Sequence, residues 1–396
     1  MPETKYLIVG GGMTADAAAA GIRERDAEGT IGIVSSENDP PYNRPPLSKG
    51  LWKGEPLDSV WRKTAATRAE LRLGRRIVAL DLEARRARDD RGETHGWQKL
   101  LLATGGTPRR LEGGDESVIY FRTLADYRRL RQLAEHGTRF AVIGAGFIGS
   151  EIAAALAMNG KQVTMLFPER AIGERIFPAD LAGYVTEEYR RRGVRILAGD
   201  TAMRIAGAGQ GEPGAATVTT RHGEQLEADG VIAGLGIRPN LELARAAGLK
   251  TNDGIVVDEF LRAGREDVFA AGDVAEFYSP ALGHSLRVEH EDNANSMGRA
   301  AGGLMAGATE PYRHLPSFYS DLFDLGYEAV GELNAQLETY ADWQEPHRQG
   351  VVYYLRNSRV CGVLLWNTWG QVENARALIE QGEKITPDAL KGRLAA

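Results

Sequence analysis

Apolar residues along this chain fall into two alternating patterns, and the alternation predicts an α/β fold. Residues 6–9 (Tyr-Leu-Ile-Val) form a continuous apolar run. A run this short is the signature of a strand covered on both faces. The turn Gly10-Gly11-Gly12 follows, then an alanine-rich stretch over 17–25 that reads as helix, then a second apolar run at 31–34. The same order of strand, glycine turn, helix and strand recurs at 140–143, 144–149, 151–158 and 162–167. Two βαβ units in one chain predict two mononucleotide-type folds. Further apolar strands are expected at 100–103, 231–236 and 268–273.

Between these units, residues 40–46 carry four prolines. Proline lacks an N–H and restricts the residue before it, so this segment predicts an ordered loop rather than a helix or central strand. Residues 207–214 are glycine-rich and read as a hairpin loop. From Phe318 the pattern changes. β-rich runs at 350–355 and 360–366 precede a helix at 372–381, which predicts a small α+β C-terminal domain built on three or more antiparallel strands.

The two glycine turns carry the first chemistry. They are Gly10-x-Gly12-x-x-Ala15 and Gly144-x-Gly146-x-x-Gly149. In such a turn one glycine makes the bend, the next lets backbone approach a pyrophosphate, and the third position allows close helix–strand packing. The helix start behind it offers free N–H groups to phosphate. One such motif is weak on its own. Here both follow a strand and open a helix, and each has an acid about 20 residues on, Glu37 and Glu169, where a carboxylate reaches a ribose hydroxyl. The pair predicts two bound dinucleotides.

Composition narrows the function. The chain of 396 residues has a formal net charge of −6, which argues against nucleic acid as a partner. Two local basic runs stand out, Arg128, Arg129 and Arg131, and Arg190 to Arg192. They read either as solvated helix faces or as a docking patch for an acidic protein. One cysteine, Cys361, excludes an internal disulfide, a CxxC motif and a cysteine-based metal centre. No metal site is expected. No apolar run is long enough for a membrane span, and the first residues lack a signal-peptide pattern, so a cytoplasmic location is expected.

The segment Pro41-Tyr42-Asn43-Arg44-Pro45-Pro46-Leu47-Ser48-Lys49 resembles the flavin-proximal loop of ferredoxin-reductase-like flavoproteins in the pyridine nucleotide-disulfide oxidoreductase superfamily. This group includes reductases of ferredoxins and rubredoxins, and apoptosis-inducing factor. The resemblance runs through Leu102 to Arg109, Leu166-Phe167-Pro168-Glu169, Val288-Glu289-His290, Gly326-Tyr327-Glu328-Ala329 and Leu365-Trp366-Asn367, and is nearest to apoptosis-inducing factor in the C-terminal part. It implies an FAD domain split in two (1–115 and 243–317) around an inserted NAD domain (116–242), with the C-terminal domain at 318–396. It implies FAD and NADH as cofactors and hydride transfer from nicotinamide to flavin.

Carried over residue by residue, the resemblance puts Asp273 of Ala271-Gly272-Asp273 on the flavin ribityl chain. Arg44 and Lys49 lie along the pyrophosphate and isoalloxazine, and Arg109 on the flavin side. Glu151 pairs with Lys49 beside the flavin N5, and Glu289 and His290 lie on the nicotinamide side. Thr104, Ile148, Arg175 and Gly236 complete the cofactor-binding set. Lys49, Glu151 and His290 are the catalytic candidates. A carboxylate at Glu151 is also favourable simply because it starts a helix.

Tyr319 stands where the family usually has tryptophan. The animal protein's transit peptide and its long insertion between Gly331 and Gly350 have no counterpart, so no death-signalling or DNA-binding role is expected. Three fates of the electrons stay open: a small iron–sulfur carrier, a quinone or small oxidant, or a redox-sensing interaction in which the NADH-reduced form changes shape or forms a homodimer.

Overall fold

The computed structural model describes residues 3–114, 116–207 and 216–394. The chain divides into two compact units. One comprises residues 1–43, 58–107 and 238–318; the other comprises 44–57, 108–237 and 319–396.

The first unit is built on a twisted sheet with the strand order Arg262–Arg265, Val268–Ala270, Thr94–Leu102, Glu3–Val9, Ile31–Val34, Glu70–Arg72. The pairings from Val268–Ala270 across to Glu70–Arg72 are all parallel. Central parallel strands are covered on both faces, which is why 31–34 is buried at every position and carries no polar alternation. The helix Met13–Arg23 starts four residues before the alanine-rich stretch, directly at the glycine turn. It packs along the helix Glu291–Met305, backbone against backbone. A Cβ on Gly302 would fall 2.0 Å from the Ala18 carbonyl oxygen, so only glycine permits this approach.

The second unit contains a five-stranded parallel sheet in the order Arg195–Ala198, Gln162–Phe167, Arg139–Ile143, Gly230–Ala233, Val118–Tyr120. Its helices include Leu124–His136, Phe147–Met158 and Ala179–Arg191. The first of these opens on a reciprocal cap between Thr123 and Asp126. Residues 208–214 of the expected hairpin loop lie outside the described residues; the flanking strands Ala202–Ala206 and Ala216–Thr220 pair antiparallel.

The same unit carries the C-terminal antiparallel sheet, in the order Ser317–Leu322, Leu325–Gly331, Arg359–Trp366, Gln349–Arg356, Glu338–Glu345, followed by the helix Val372–Gln381. It has five strands where at least three were expected. Its inner face meets the end of the parallel domain through aromatic rings. Phe177 lies edge-on to Tyr327 and Trp366 at 5.4 and 5.5 Å between centroids, and all three are buried. Such pairs add roughly 0.5–1.5 kcal/mol each beyond area burial.

The proline segment is tighter than a plain loop. Pro45–Ser48 forms a single 3-10 turn with proline at its start, where the fixed φ is suitable and the missing N–H costs nothing. The basic runs prove to be largely paired. Arg190, Arg191 and Arg192 meet Glu187, Glu188 and Asp324, Arg129 donates to two backbone carbonyls, and the Arg131 guanidinium lies over the Trp52 ring at 4.8 Å. Among the described residues, no helix is long and apolar enough to cross a membrane.

Candidate functional site

In the first unit, Gly10, Gly12 and Ala15 stand at the turn between the strand Glu3–Val9 and its helix. Gly10 has φ +122°, and a Cβ there would lie 2.0 Å from the Ala103 carbonyl oxygen, so the position admits only glycine. Gly12 is the N-cap of the helix and brings no capping side chain. The Ala15 amide turns back to the Gly12 carbonyl at 3.1 Å, and with no capping side chain the N–H groups before it point to another acceptor, as a pyrophosphate requires. Asp273 sits on the short turn Gly272–Val274. Gly272 lies so close to Thr14 that a Cβ would come within 2.3 Å of its hydroxyl, which brings the Asp273 turn to the same helix start. Glu37 follows the strand Ile31–Val34 and accepts a hydrogen bond from the Tyr42 hydroxyl. Thr104 and Asn240 are tied by two mutual hydrogen bonds.

Also in this unit, His290 caps the helix Glu291–Met305, and its ring stacks on Phe318 at 4.2 Å with planes 10° apart. Glu289 accepts from Arg287 at 2.6 Å, and Arg287 also donates to the Asp273 carbonyl at 3.0 Å. The segment that bears Glu289 is thereby joined to the turn that bears Asp273.

In the second unit, the fingerprint is complete at Gly144, Gly146 and Gly149. A Cβ on Gly149 would fall 2.1 Å from the Gly144 carbonyl oxygen, so the turn and helix touch as the motif demands. Gly146 is an uncapped N-cap, and a Cβ there would meet open space. Ile148 is half-buried in the first helical turn. Glu169 follows the strand Gln162–Phe167 and is paired with Arg175 at 2.6 Å. Gly236, at φ +75°, accepts from the Arg109 amide at 3.0 Å. The Arg109 side chain turns to the Ile237 carbonyl at 3.2 Å, and that of Arg44 to the Arg122 carbonyl at 3.0 Å. Both guanidiniums thus hold backbone.

The expected ion pair forms at the heart of this unit. Lys49 Nζ is 2.7 Å from Glu151 Oε2, although 102 positions (151 − 49) separate them. The Glu151 side chain is 2% exposed and that of Lys49 12%. A carboxylate so buried needs donors, and two came unannounced by the sequence. Ser48 Oγ donates to Oε2 at 2.6 Å, and Ser320 Oγ donates to Oε1 at 2.6 Å. Behind them stand Tyr189 and Tyr327, both fully buried. Burial first, and then the Glu151 charge, push their phenols well above the usual range. Both therefore stay neutral around the carboxylate. Tyr319, 40% exposed, lies with its ring centroid 5.2 Å from Lys49 Nζ. An aromatic face at this distance attracts the ammonium, so tyrosine fills the tryptophan position as a platform for the lysine. Ser48 lies within the family-like loop 41–49 but carried no signal of its own; Ser320 carried none.

Cys361 is buried on the strand Arg359–Trp366, and its thiol donates to the Tyr354 carbonyl at 3.4 Å. Burial pushes the thiol up to about 11, so little thiolate exists at neutral pH. Cys361→Ser is expected to keep full turnover; loss of turnover in a folded variant would show a thiol at work.

Two uncapped helix starts, each behind a glycine turn and each followed by an acid, fit two dinucleotides. Comparison with known proteins agrees. Residues 4–298 match the profile of the pyridine nucleotide-disulphide oxidoreductases, and residues 341–381 match that of the C-terminal region of mitochondrion-associated apoptosis-inducing factor. The chain is 35% identical to the ferredoxin–NAD(+) reductase component of the anthranilate 1,2-dioxygenase system of Burkholderia cepacia, over 98% of this chain and 97% of the relative. It is 33% identical to mitochondrial apoptosis-inducing factor 1 of Dictyostelium discoideum, over 95% of this chain and 78% of that one. Its fold matches the covalent putidaredoxin reductase–putidaredoxin complex with a TM-score of 0.91 at 28% identity, covering 98% of this chain and 95% of that one. The chain therefore belongs to the pyridine nucleotide-disulphide oxidoreductase family, as a ferredoxin-reductase-like and apoptosis-inducing-factor-like flavin enzyme that uses FAD and a nicotinamide nucleotide and has no redox-active disulfide.

Proposed function

We propose that this flavoenzyme oxidises NADH and hands the electrons to a small iron–sulfur carrier protein. The observation that carries the reading is the likeness to a ferredoxin–NAD(+) reductase component along nearly the whole length of both chains. The single buried cysteine supports it, because an enzyme without a dithiol sends its electrons from the flavin to an outside acceptor. FAD, when bound, supplies the hydride acceptor and the conversion of a two-electron donor into single-electron steps.

The protein's residues bind and orient. Gly10, Gly12 and the helix start behind them receive one pyrophosphate, with Asp273 addressing the ribityl chain. Gly144, Gly146 and Gly149 receive the other, with Glu169 addressing the adenosine ribose. Lys49, held by Glu151 and by the ring of Tyr319, is the fixed positive charge that serves the flavin's reacting nitrogen. Ser48 and Ser320 keep the Glu151 carboxylate in place. Glu289 and His290 serve the nicotinamide.

The deciding experiment is anaerobic stopped-flow reduction by NADH, followed by mixing with [2Fe-2S] ferredoxins, a rubredoxin and quinones. Fast reoxidation by an iron–sulfur carrier is expected. Fast reoxidation by a quinone alone would overturn the proposal. The purified protein is expected to hold FAD non-covalently, and Asp273→Ala to weaken that hold. Gly10→Ala should abolish it, since the new Cβ collides with backbone; a flavin-to-protein ratio unchanged in Gly10→Ala would reject the cradle.

The match of residues 341–381 to the apoptosis-inducing factor C-terminal region favours a second reading. In it, the NADH-reduced form changes shape or dimerises, and turnover is secondary. Sedimentation with and without NADH, under anaerobic conditions, separates the two.

A further inference from the structure

The loop that carries Glu169 links the strand Gln162–Phe167 to the helix Ala179–Arg191. Within the parallel domain its ties are few. The Gly199 amide donates to the Glu169 carbonyl at 2.9 Å, the Ile172 amide to the Thr186 hydroxyl at 2.9 Å, and the Gly173 amide to the Ala145 carbonyl at 3.4 Å. The end of the loop is held by the C-terminal sheet instead. The Tyr354 hydroxyl, on the strand Gln349–Arg356, donates to the Ile176 carbonyl at 2.6 Å. The Ala335 amide donates to the Arg175 carbonyl at 3.0 Å. Phe177, next in sequence, is packed against Tyr327 and Trp366. Burial pushes the Tyr354 phenol far above its usual range, so it remains a neutral donor at any assay pH.

The Arg175 carbonyl and the one after it, of Ile176, are thus fixed by the C-terminal domain, through the turn before the strand Glu338–Glu345 and through the sheet. The Arg175 side chain itself is 82% exposed and, among the described residues, reaches back to Glu169. A long exposed side chain has many rotamers, and anchoring its backbone is what restricts where the guanidinium can go.

We propose that the C-terminal sheet completes the adenosine pocket of the nicotinamide nucleotide. Tyr354 and Ala335 act as positioning residues that keep Arg175 on Glu169, and so set the discrimination between a ribose 2′-hydroxyl and a 2′-phosphate. The proposal rests on the reading of Glu169 as the ribose acid. Held in this place, Arg175 is committed to the carboxylate, and an incoming 2′-phosphate must compete with Glu169 for it. With the loop loosened, Arg175 is free to follow the phosphate, while the carboxylate loses its set position against the hydroxyl.

Two variants remove the two donors separately. Tyr354→Phe deletes the hydroxyl. Ala335→Pro deletes the amide at the second position of a turn closed by Leu337 N–H to the Asn334 carbonyl at 3.0 Å, a position where proline is favoured. The second variant therefore keeps the test alive if the first folds poorly. The FAD-loaded proteins are titrated calorimetrically with 5′-AMP and with 2′,5′-ADP, and KM and kcat are measured with NADH and NADPH.

In both variants the preference for 5′-AMP over 2′,5′-ADP should fall by about threefold to tenfold, the range that one net hydrogen bond covers. The kinetic change should fall on the ratio of KM values. An unchanged ratio, or equal weakening of both ligands, overturns the proposal. Glu169→Ser is run in parallel. If it shifts the ratio while the other two variants do not, the ribose-acid reading stands and this inference fails. If all three leave the ratio unchanged, the ribose-acid reading fails as well.

Discussion

Lys49→Ala is expected to slow flavin reduction at saturating NADH by about a hundredfold, the scale of losing one preorganised electrostatic partner, with a smaller change in the NADH concentration needed for half-saturation. Three features of the site set this size. Lys49 is only 12% exposed, so its charge is weakly screened. It is fixed on both sides, by Glu151 at 2.7 Å and by the Tyr319 ring at 5.2 Å, so its charge is already in place and would need no reorganisation to serve a bound flavin. Two opposite charges about 4 Å apart interact by roughly 4 kcal/mol at an effective dielectric near 20, enough to cover the expected loss.

The variant should fold. Removing one partner of a buried pair commonly costs about 3–5 kcal/mol, but Glu151 keeps the Ser48 and Ser320 hydroxyls, which should hold the cost below that range. Thermal unfolding of the FAD-loaded variant checks this. Lys49→Arg, which retains the charge, should recover part of the rate. A reduction rate in Lys49→Ala equal to that of the wild type would remove Lys49 from the mechanism.

NADH is expected to exceed NADPH by at least about tenfold in kcat/KM, a difference of about 1.4 kcal/mol, and Glu169→Ser should narrow the gap chiefly by improving NADPH. On the proposed reading, the carboxylate would accept from a 2′-hydroxyl and repel a 2′-phosphate. Arg175 opposes this preference, but it is engaged with Glu169 at 2.6 Å. Arg170 faces Glu174 instead, at 3.9 Å. The Arg175 side chain is 82% exposed and that of Glu169 21%, and an ion pair with one solvated partner on a loop contributes about 1 kcal/mol or less to folding. Glu169→Ser should therefore alter nucleotide choice without altering stability. Equal efficiency with both nucleotides in the wild type would transfer control of the pocket to Arg175.

The sequence alone determined the elements whose signal is local. The strand at 31–34 was legible to the residue because it is apolar and buried throughout and ends at Ser35, and that at 162–167 because Val163 and Met165 to Phe167 form an apolar run that ends at Pro168. Both glycine turns were legible because the cradle is built from neighbouring backbone. The helices were placed too late, at 17 and 151 rather than Met13 and Phe147. Glycine N-caps without a capping side chain leave no Ser, Thr, Asp or Asn to mark the start. In the C-terminal sheet, the inner strands Gln349–Arg356 and Arg359–Trp366 stood out. The edge strand Glu338–Glu345 did not, since only one side of it is covered and it reads as polar.

What tertiary structure decided was the company each charged group keeps. The Lys49–Glu151 pair was inferable only through family resemblance, and the Ser48 and Ser320 hydroxyls that satisfy its carboxylate were not inferable at all. Ser320 lies 169 positions from Glu151, and a hydroxyl donor has no sequence pattern that reports a distant acceptor. The same holds for Tyr354 and Ala335 on the Glu169 loop. Their partners are backbone carbonyls, which every residue possesses, so only the folded chain shows which donors meet them.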